Sequence, residues 1–383
     1  MKTIAVLGGG IGGIVAASRL RSRLPREHRV VLVERDPTHV FAPSLLWLMI
    51  GERTGEAISR PLAALGKRGV ELVHGTIQAI DATSRAVRVD GNEIRADYLV
   101  IALGADLAPQ TIPGLAEGGH NFYSLQGAAS LRDARLELRA GRVVVLVSAI
   151  PYKCPGAPNE AAMLLEADFR RRGLRDKVQV DLYTAEPGPM PVAGPVVSAA
   201  LRRMIEARGI GYHPDCTTTS VDPVRRRISF ANGETAAYDL LAYIPPHRAP
   251  QVVRDAGLCG ETGWVPVDRR TLETKFPGVY AIGDVAGIML TAIGRPLPKA
   301  GVFAHYEAEV VADNIVRAIT GKGSPREFAG DGACFIEAGD GKAGYGAGNF
   351  FAEPAPQIKL RAPSRMMHWG KVAFEKYWLF RWF

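Results

Sequence analysis

Cysteine is scarce in this sequence of 383 residues, which has only four: Cys154, Cys216, Cys259 and Cys334. So few and scattered cysteines exclude a disulfide-rich scaffold, and the absence of a CxxC pair excludes the common structural zinc sites. A cysteine with a role here is therefore better suited to redox chemistry than to structure.

Long apolar runs are also absent, and no segment reaches the length of a bilayer-spanning helix. The N-terminus lacks the charged and apolar regions of a secretory signal, because a strand pattern begins at Thr3. With 47% apolar and 22% charged residues, the composition excludes disordered, collagenous and multi-span membrane classes. We expect a folded protein of about two or three domains, made without a signal peptide and located at the cytoplasmic face of the cell membrane.

The net charge of +8 is unevenly distributed along the chain. Residues 356–383 contain six basic side chains and one acidic side chain, Glu375, and so carry +5 of the total. A nucleic-acid-binding protein would carry its basic stripe over a folded domain, whereas this excess lies in an aromatic tail. The pattern argues against a nucleic-acid partner and favours a membrane surface.

A glycine-rich turn follows the first strand pattern. The order is strand (4–7), glycine turn (8–13), helix (14–20), strand (30–33) and then an acidic residue, Glu34. Gly8 allows the tight turn, Gly10 lets the backbone approach a pyrophosphate, and Gly13 lets the helix pack on the strand. Glu34 is placed to bind a ribose hydroxyl, with Arg35 beside it. The pattern predicts a dinucleotide-binding domain.

Two later strand patterns end in glycine turns: Tyr98–Gly104, closed by Gly104, and Gly278–Ala286, closed by Gly283 and Asp284. They resemble the secondary signatures of flavoproteins with two dinucleotide-binding domains, and that resemblance implies that Asp284 binds the ribityl chain of FAD. Helical spacing over Val302–Ile319 predicts a helix whose N-terminus would stabilise negative charge on the flavin, with Lys299 adding to the effect.

The middle of the chain repeats the strand–helix–strand plan, with one part changed. Val143–Val147 and Val178–Tyr183 read as strands, and Asn159–Arg172 reads as the helix between them. The segment Ser148–Pro158 has prolines, bulky side chains and a single glycine where a pyridine-nucleotide domain has its glycine turn. We therefore predict that this second domain does not bind a pyridine nucleotide and supplies Cys154 instead.

The loop Tyr152–Glu160 (YKCPGAPNE), the segment Pro298–Gly301 (PKAG) and the late Cys334 resemble the sulfide:quinone oxidoreductase and flavocytochrome c sulfide dehydrogenase family. The resemblance covers nearly the whole chain. It implies that Cys154 and Cys334 flank the flavin as a redox-active pair and that Glu160 carries protons. Many members have a third cysteine that links to the flavin, but none is present around Tyr123–Gln126, so we expect non-covalent FAD.

Cys216 and Cys259 stand in no motif, and we interpret them as small hydrophobic residues.

The expected chemistry of the Cys154–Cys334 pair starts with sulfide. Sulfide is a two-electron donor that attacks a disulfide or sulfur-bridged pair. Which of the two cysteines contacts the flavin stays open, as does the replacement of sulfide by another thiol or persulfide donor.

The tail is predicted to be an amphipathic helix. An aromatic stripe is read at i, i+4 spacing, formed by Met366, Gly370, Phe374, Trp378 and Trp382. Lys371 and Glu375 are read as a supporting pair on another face. Such a helix would lie in the membrane interface through residues 366–383, where a lipophilic quinone is reached; the alternative is that the stripe packs as core.

A glycine-rich stretch, Gly339–Phe351, precedes the tail. Its aromatic residues, Tyr345, Phe350 and Phe351, are candidates for lining the quinone entrance, although the stretch also reads as a turn.

The sequence thus predicts an α/β protein with two Rossmann-like domains and a C-terminal region. The expected bounds are 1–110 and 265–325 for the FAD-binding domain, 111–264 for the second domain, and 326–383 for the C-terminal region. The expected function is oxidation of sulfide to polysulfide or sulfur through Cys154 and Cys334, with electrons passing through FAD to membrane quinone.

Three alternatives stay open: transfer to a c-type cytochrome, an NADH-dependent quinone or disulfide reductase, and a flavin-binding protein without turnover. Whether the chain forms a homo-oligomer is also open.

Overall fold

A parallel five-stranded sheet forms the centre of the first part of the fold. The computed structural model describes all residues from Met1 to Phe383. The strand order in this sheet is Val279–Ala281, Tyr98–Ile101, Thr3–Leu7, Arg29–Glu34 and Glu71–His74. Its three central strands contain buried apolar runs because both faces of the sheet are covered. Helices Ile11–Arg23 and Gly301–Thr320 cover one face, and the antiparallel strands Ile77–Asp81, Ala86–Val89 and Asn92–Arg95 cover the other with helix Gln251–Asp255.

A second parallel five-stranded sheet repeats this plan. Its strand order is His120–Asn121, Leu240–Ile244, Gly141–Val147, Val178–Thr184 and Gly211–His213. Helices Leu125–Glu137, Ala157–Arg171 and Pro195–Glu206 pack on one face, and strands Thr218–Asp222, Arg227–Phe230 and Thr235–Ala237 cover the other. The predicted α/β class with two Rossmann-like domains is confirmed.

Shorter elements join these layers. Paired short strands are Thr38–Val40 with Ser59–Pro61, Asp106–Leu107 with His247–Arg248, Val265–Pro266 with Ala286–Gly287, and Met289–Leu290 with Arg295–Pro296. The remaining short helices are Leu45–Met49 and Leu115–Gly118.

The C-terminal region is an antiparallel three-stranded sheet followed by a helix. The strands are Asp331–Glu337, Ala343–Asn349 and Gln357–Ser364, and the helix is Arg365–Arg381, capped by the Ser364 hydroxyl. The reading of Gly339–Phe351 as a turn is wrong for most of its length, because residues 343–349 form the central strand of this sheet. No helix of the chain has both the length and the apolar composition needed to cross a membrane.

The tail helix buries Trp378 and Trp382, two members of the stripe predicted to face the membrane. Its buried face carries Lys371, Glu375, Trp378 and Trp382, which lie within about 60° of one another at 100° per residue. The predicted stripe with strict i+4 spacing drifts by about 40° at each step, so it cannot keep to one face. The expected Lys371–Glu375 pair is wrong, because each of these side chains bonds to the body of the protein.

The outer face of the same helix is apolar and aromatic. Its exposed residues include Met366 (69%), Trp369 (67%), Tyr377 (58%) and Phe380 (83%). We call these four residues the outer stripe. A helix that exposes these apolar side chains while it buries Lys371 and Glu375 departs from the usual pattern of a surface helix.

Candidate active site

A cavity of about 500 Å³ lies where the carboxyl ends of the first sheet's strands face the second domain. This is the position at which open α/β sheets bind ligands. The cavity brings together nine of the residues singled out from the sequence: Gly8, Gly10, Glu34, Arg35, Gly104, Cys154, Gly283, Asp284 and Lys299. Gly13, Glu160, Cys334, Tyr345, Phe350 and Phe351 do not line it.

The three glycines of the first turn have different physical roles. Gly8 has a φ of +105°, and an added Cβ would lie 2.4 Å from the carbonyl oxygen of Ala102. A Cβ on Gly13 would lie 1.8 Å from the oxygen of Gly8, so only glycine lets this helix approach. A Cβ on Gly10 meets no atom within 4 Å. The open space beside Gly10, at the N-terminus of helix Ile11–Arg23, is the space that a pyrophosphate needs.

Gly10→Ala is therefore expected to fold normally and to lose cofactor. The backbone at Gly10 (φ −77°) suits alanine, but the new methyl group occupies the space left for phosphate. We expect FAD affinity to fall at least about tenfold, measured by titration of apoprotein, with the thermal midpoint of the apoprotein unchanged. Gly66→Ala is the matched control, because its Cβ meets only the end of Leu72 at 4.0 Å. Equal FAD affinity in both variants would contradict this use of Gly10.

The Glu34 carboxylate is held rigidly at the cavity wall. One oxygen accepts a hydrogen bond from the Gly9 amide (2.5 Å), and the other accepts from the amides of Arg35 (2.8 Å) and Asp36 (3.0 Å). Three backbone donors fix the direction of the carboxylate and leave acceptor capacity for a ribose hydroxyl.

Lys299 lies beneath Asp284 and does not extend freely into the cavity. Its ammonium donates to the carbonyl oxygens of Asp284 (2.5 Å) and Ala286 (3.2 Å) and lies 3.4 Å from the ring centroid of Trp264. Burial lowers the pKa of Lys299 to about 8, although Asp284 and Glu307 oppose this shift. The lysine thus fixes the Asp284 turn, and its charge remains next to the cavity.

Cys154 lies at the cavity wall on the side of the second domain. Its amide donates to the carbonyl of Lys299 (2.6 Å), which joins the two domains at this point. Burial raises the pKa of its thiol far above the ordinary range; the negative charges of Cys334 and Glu160 raise it further, and the charge of Lys371 lowers it.

Cys334 lies in strand Asp331–Glu337, on the same face as Ile336. Ile336 belongs to the core of the second domain, and Cys154 packs against that core. The Cys334 side chain is exposed to solvent, yet burial among surrounding protein atoms raises its pKa to about 12. The charge of Cys334 also raises the pKa of Cys154, so the two thiols lie within electrostatic reach of each other.

A buried network of charges lies next to the two cysteines, and the sequence analysis did not predict it. The Lys371 ammonium donates to the Glu160 carboxylate (2.8 Å), which also accepts from the Glu337 amide (2.8 Å). His368 bonds to the Glu337 carboxylate at 3.1 Å. Glu160, Glu337 and Lys371 are 2%, 1% and 6% exposed. Lys371 is the cation that lowers the pKa of both thiols, so the tail helix contributes directly to the site.

The aromatic residues predicted at a quinone entrance are not brought to the cavity. Phe350 packs edge-on against Phe303, and Phe351 packs against Phe328, so both belong to the core beneath helix Gly301–Thr320. Tyr345 pairs with Phe335 on the sheet face opposite to Cys334. Phe350 and Phe351 therefore contribute to core packing, and their place at a quinone entrance stays a prediction.

Comparisons with known proteins agree with this geometry. The sequence matches the family described as pyridine nucleotide-disulphide oxidoreductase over residues 2–307. It is 30% identical to the sulfide-quinone reductase of Aquifex aeolicus (strain VF5), across 99% of this chain and 91% of that protein. It is 31% identical to the mitochondrial sulfide:quinone oxidoreductase of Mus musculus, across 74% of this chain and 66% of that protein.

The similarity extends to a solved structure. The X-ray structure of the sulfide:quinone oxidoreductase from Aquifex aeolicus superimposes with a TM-score of 0.89 at 27% identity, covering 100% of this chain and 91% of that one. The match therefore includes both sheets, the C-terminal sheet and the tail helix. The chain belongs to the pyridine nucleotide-disulphide oxidoreductase family, as a flavoenzyme of the sulfide:quinone oxidoreductase type.

Proposed function

We propose that the chain oxidises sulfide to polysulfide or sulfur through Cys154 and Cys334, and that the electrons pass through FAD to a membrane quinone. The observation that carries this proposal is the position of Cys154, in the wall of the dinucleotide cavity and electrostatically coupled to Cys334 and to the buried Glu160–Lys371 pair.

The residues around the cavity fit FAD. Gly10 leaves space for the pyrophosphate, Glu34 offers an acceptor for a ribose hydroxyl, and Asp284 lies where a ribityl chain can be bound. FAD, when bound, supplies the two-electron acceptor that reoxidises the cysteine pair and hands the electrons to quinone. No cysteine lines the cavity other than Cys154, which supports non-covalent binding.

The chain's own chemistry starts from the oxidised cysteine pair. Hydrosulfide attacks one sulfur, the S–S bond breaks, and one cysteine becomes a persulfide while the other leaves as a thiolate. Lys371 stabilises that thiolate, since its charge lowers the pKa of both cysteines. Glu160 lies between Lys371 and the Glu337 amide, where it can hold the proton that this exchange releases.

Quinone is favoured over NADH as the reaction partner because of the second domain. The side chain of Tyr152 is 5% exposed, and its hydroxyl bonds to Glu186 (2.6 Å) at the end of the strand where a pyridine-nucleotide domain has its ribose-binding acid. The acid at this position is therefore bonded to a protein side chain, Tyr152, and not to the ribose of a nucleotide.

Quinone is favoured over a cytochrome because of the outer stripe of the tail helix. Four exposed apolar or aromatic side chains on the outer face suit the membrane interface, from which a lipophilic quinone enters. Peripheral attachment at the cytoplasmic face is part of this proposal.

The triple variant Trp369→Ser/Tyr377→Ser/Phe380→Ser is expected to lose membrane binding. The three side chains are exposed, so the fold does not need them, but their apolar area drives insertion. We expect the partition coefficient onto anionic lipid vesicles to fall at least about 100-fold by co-sedimentation. Val196→Ser/Val224→Ser, at exposed sites outside the tail, is the control. Unchanged partitioning of the triple variant would contradict the proposed attachment.

The proposed function is tested by anaerobic absorbance of FAD-loaded protein. We expect sulfide to bleach the flavin, NADH to leave it oxidised, and a soluble quinone to restore the colour after sulfide. Bleaching by NADH and not by sulfide would show that the second domain binds a nucleotide, and the proposed function would be wrong.

A further inference from the structure

Cys154 has an unusual backbone conformation that its surroundings must maintain. Its φ is +53°, in the left-handed region that residues other than glycine seldom adopt. Such conformations persist where neighbouring groups hold them, and they concentrate at functional sites. The direction of the thiol therefore depends on the contacts that hold this peptide.

Tyr123 makes two of these contacts. Its hydroxyl lies 2.8 Å from the Lys153 carbonyl oxygen and 3.1 Å from that of Cys154, and it is the donor to both. Burial raises the pKa of Tyr123 well above its usual value, and negative charge from Cys154 and Glu160 raises it further, so the phenol stays protonated. The hydroxyl is thus a permanent donor to two successive carbonyls.

The Tyr123 ring is itself held in place. It packs edge-on against Phe122 (5.2 Å between centroids) and against His247 (5.8 Å), and its amide bonds to the Asn121 side chain (3.0 Å). Tyr123 also lines the cavity beside Cys154. The phenol therefore links the fixed edge of the second sheet to the cysteine loop.

The Cys154 peptide is clamped from both sides. Its amide donates to the Lys299 carbonyl (2.6 Å), and its carbonyl accepts from Ala157 (2.9 Å) as well as from Tyr123. The Lys153 carbonyl receives its side-chain hydrogen bond from Tyr123. Loss of the phenolic hydroxyl would free the Lys153–Cys154 peptide on the side facing the second sheet.

We propose that Tyr123 is a positioning residue for the redox reaction: its hydroxyl fixes the Lys153–Cys154 peptide and thereby aims the Cys154 thiol at the flavin cavity and at Cys334. The expected change in the rate of flavin reduction rests on the proposed function. The effect of Tyr123 on the conformation of the Lys153–Cys154 peptide follows from the hydrogen bonds alone.

The test compares Tyr123→Phe with wild type and with Tyr238→Phe. Tyr238 is a matched control because it is also buried, and its hydroxyl has no hydrogen-bond partner. In anaerobic stopped flow, we expect the limiting rate of flavin reduction by sulfide to fall about tenfold to 100-fold in Tyr123→Phe, with the half-saturating sulfide concentration unchanged. If the Tyr123 hydroxyl only supported the fold, Tyr123→Phe would lower the FAD content or the thermal midpoint, and the rate per bound flavin would stay unchanged.

A second measurement does not depend on sulfide as substrate. Reduced protein is treated with iodoacetamide, and alkylation of each cysteine is followed by peptide mass spectrometry, with Cys216 as internal reference. We expect Cys154 to react about fivefold faster in Tyr123→Phe, the factor expected for one lost hydrogen bond, and Cys216 to react at an unchanged rate. Equal Cys154 rates in wild type and Tyr123→Phe would overturn the positioning role. Absence of sulfide bleaching in wild type would instead overturn the proposed function.

Discussion

Replacing Cys154 with serine is expected to slow reduction of the bound flavin by sulfide at least about 1,000-fold, and Cys334→Ser is expected to have the same effect. In the proposed function both cysteines are needed, because the reaction would start from their oxidised pair and a serine cannot form the sulfur–sulfur bond that hydrosulfide attacks. The measurement is the anaerobic bleaching of the flavin band by sulfide in stopped flow.

The surroundings of the two cysteines disfavour their thiolates in the reduced protein. Burial raises the pKa of the Cys334 thiol to about 12 and also raises that of the Cys154 thiol. In the proposed reaction the nucleophile is hydrosulfide, because the cysteines start as an oxidised pair, and the thiolate that leaves must be stabilised by a nearby cation.

Cys259→Ser is the matched control, because Cys259 is partly buried and packs in the first domain, away from the cavity. We expect it to bleach at the wild-type rate. Dithionite must bleach all of the variants equally, which shows that each one holds reducible FAD. Sulfide bleaching that persists in both Cys154→Ser and Cys334→Ser would show that electrons reach the flavin directly, and the pair would have no redox role.

The two sheets and the dinucleotide turn could be predicted because their signals are local. A parallel strand covered on both faces is a continuous apolar run, and the glycines follow directly in the sequence. The predicted strand at 143–147 and helix at 302–319 therefore agree with the observed Gly141–Val147 and Gly301–Thr320 within two residues at each end.

The charge network at the site could not be predicted, because its members are distant in sequence. Glu160 and Lys371 are 211 residues apart, and their contact exists only after the tail helix docks between the domains. The sequence predicts Lys371 on a different face from the aromatic stripe, in a pair with Glu375, because lysines are seldom buried. One signal was available: Lys371 and Glu375 share a helix face with Trp378 and Trp382, which is the face expected to be buried.

The tail helix is joined to the body by these buried charges. Glu375 is fully buried and accepts hydrogen bonds from Ser44 (2.8 Å) and Arg53 (3.0 Å), while Lys371 binds Glu160 one turn earlier. The same helix displays the outer stripe to the surroundings. The proposed docking at a lipid surface and the proposed chemistry of the cysteine pair would therefore depend on one element.

Lys371→Met is expected to lower both stability and the rate of sulfide oxidation. Burial opposes the charge of Lys371, but Glu160 and Glu337 more than offset that effect and raise its pKa. The side chain is therefore charged at neutral pH, and its removal leaves the buried Glu160 without its cation and Glu337 with His368 alone. We expect the apparent free energy of unfolding to fall by about 3 kcal/mol, measured by denaturant titration.

A double-mutant cycle with Glu160→Gln isolates the pair. Lys371→Met leaves Glu160 without its cation, and Glu160→Gln leaves Lys371 with only the more distant Glu337 at 3.9 Å, whereas the double variant Glu160→Gln/Lys371→Met removes one charge of each sign. We expect the loss in the double variant to be smaller than the sum of the single losses by about 2 kcal/mol. Additive losses would mean that the two side chains contribute separately and that the buried pair does not act as a unit.

The kinetic effect of Lys371→Met separates electrostatic catalysis from structural support. Without the cation, the leaving thiolate is harder to form, so the limiting rate of flavin reduction by sulfide at neutral pH should fall about tenfold, the factor that corresponds to one pH unit in the pKa of the leaving thiol. Lys371→Arg keeps the charge in a bulkier side chain and should retain the wild-type rate per bound flavin even where packing lowers its stability. An equal loss of rate in both variants would assign Lys371 to packing alone, whereas a loss confined to Lys371→Met identifies its charge as the group that stabilises the thiolate.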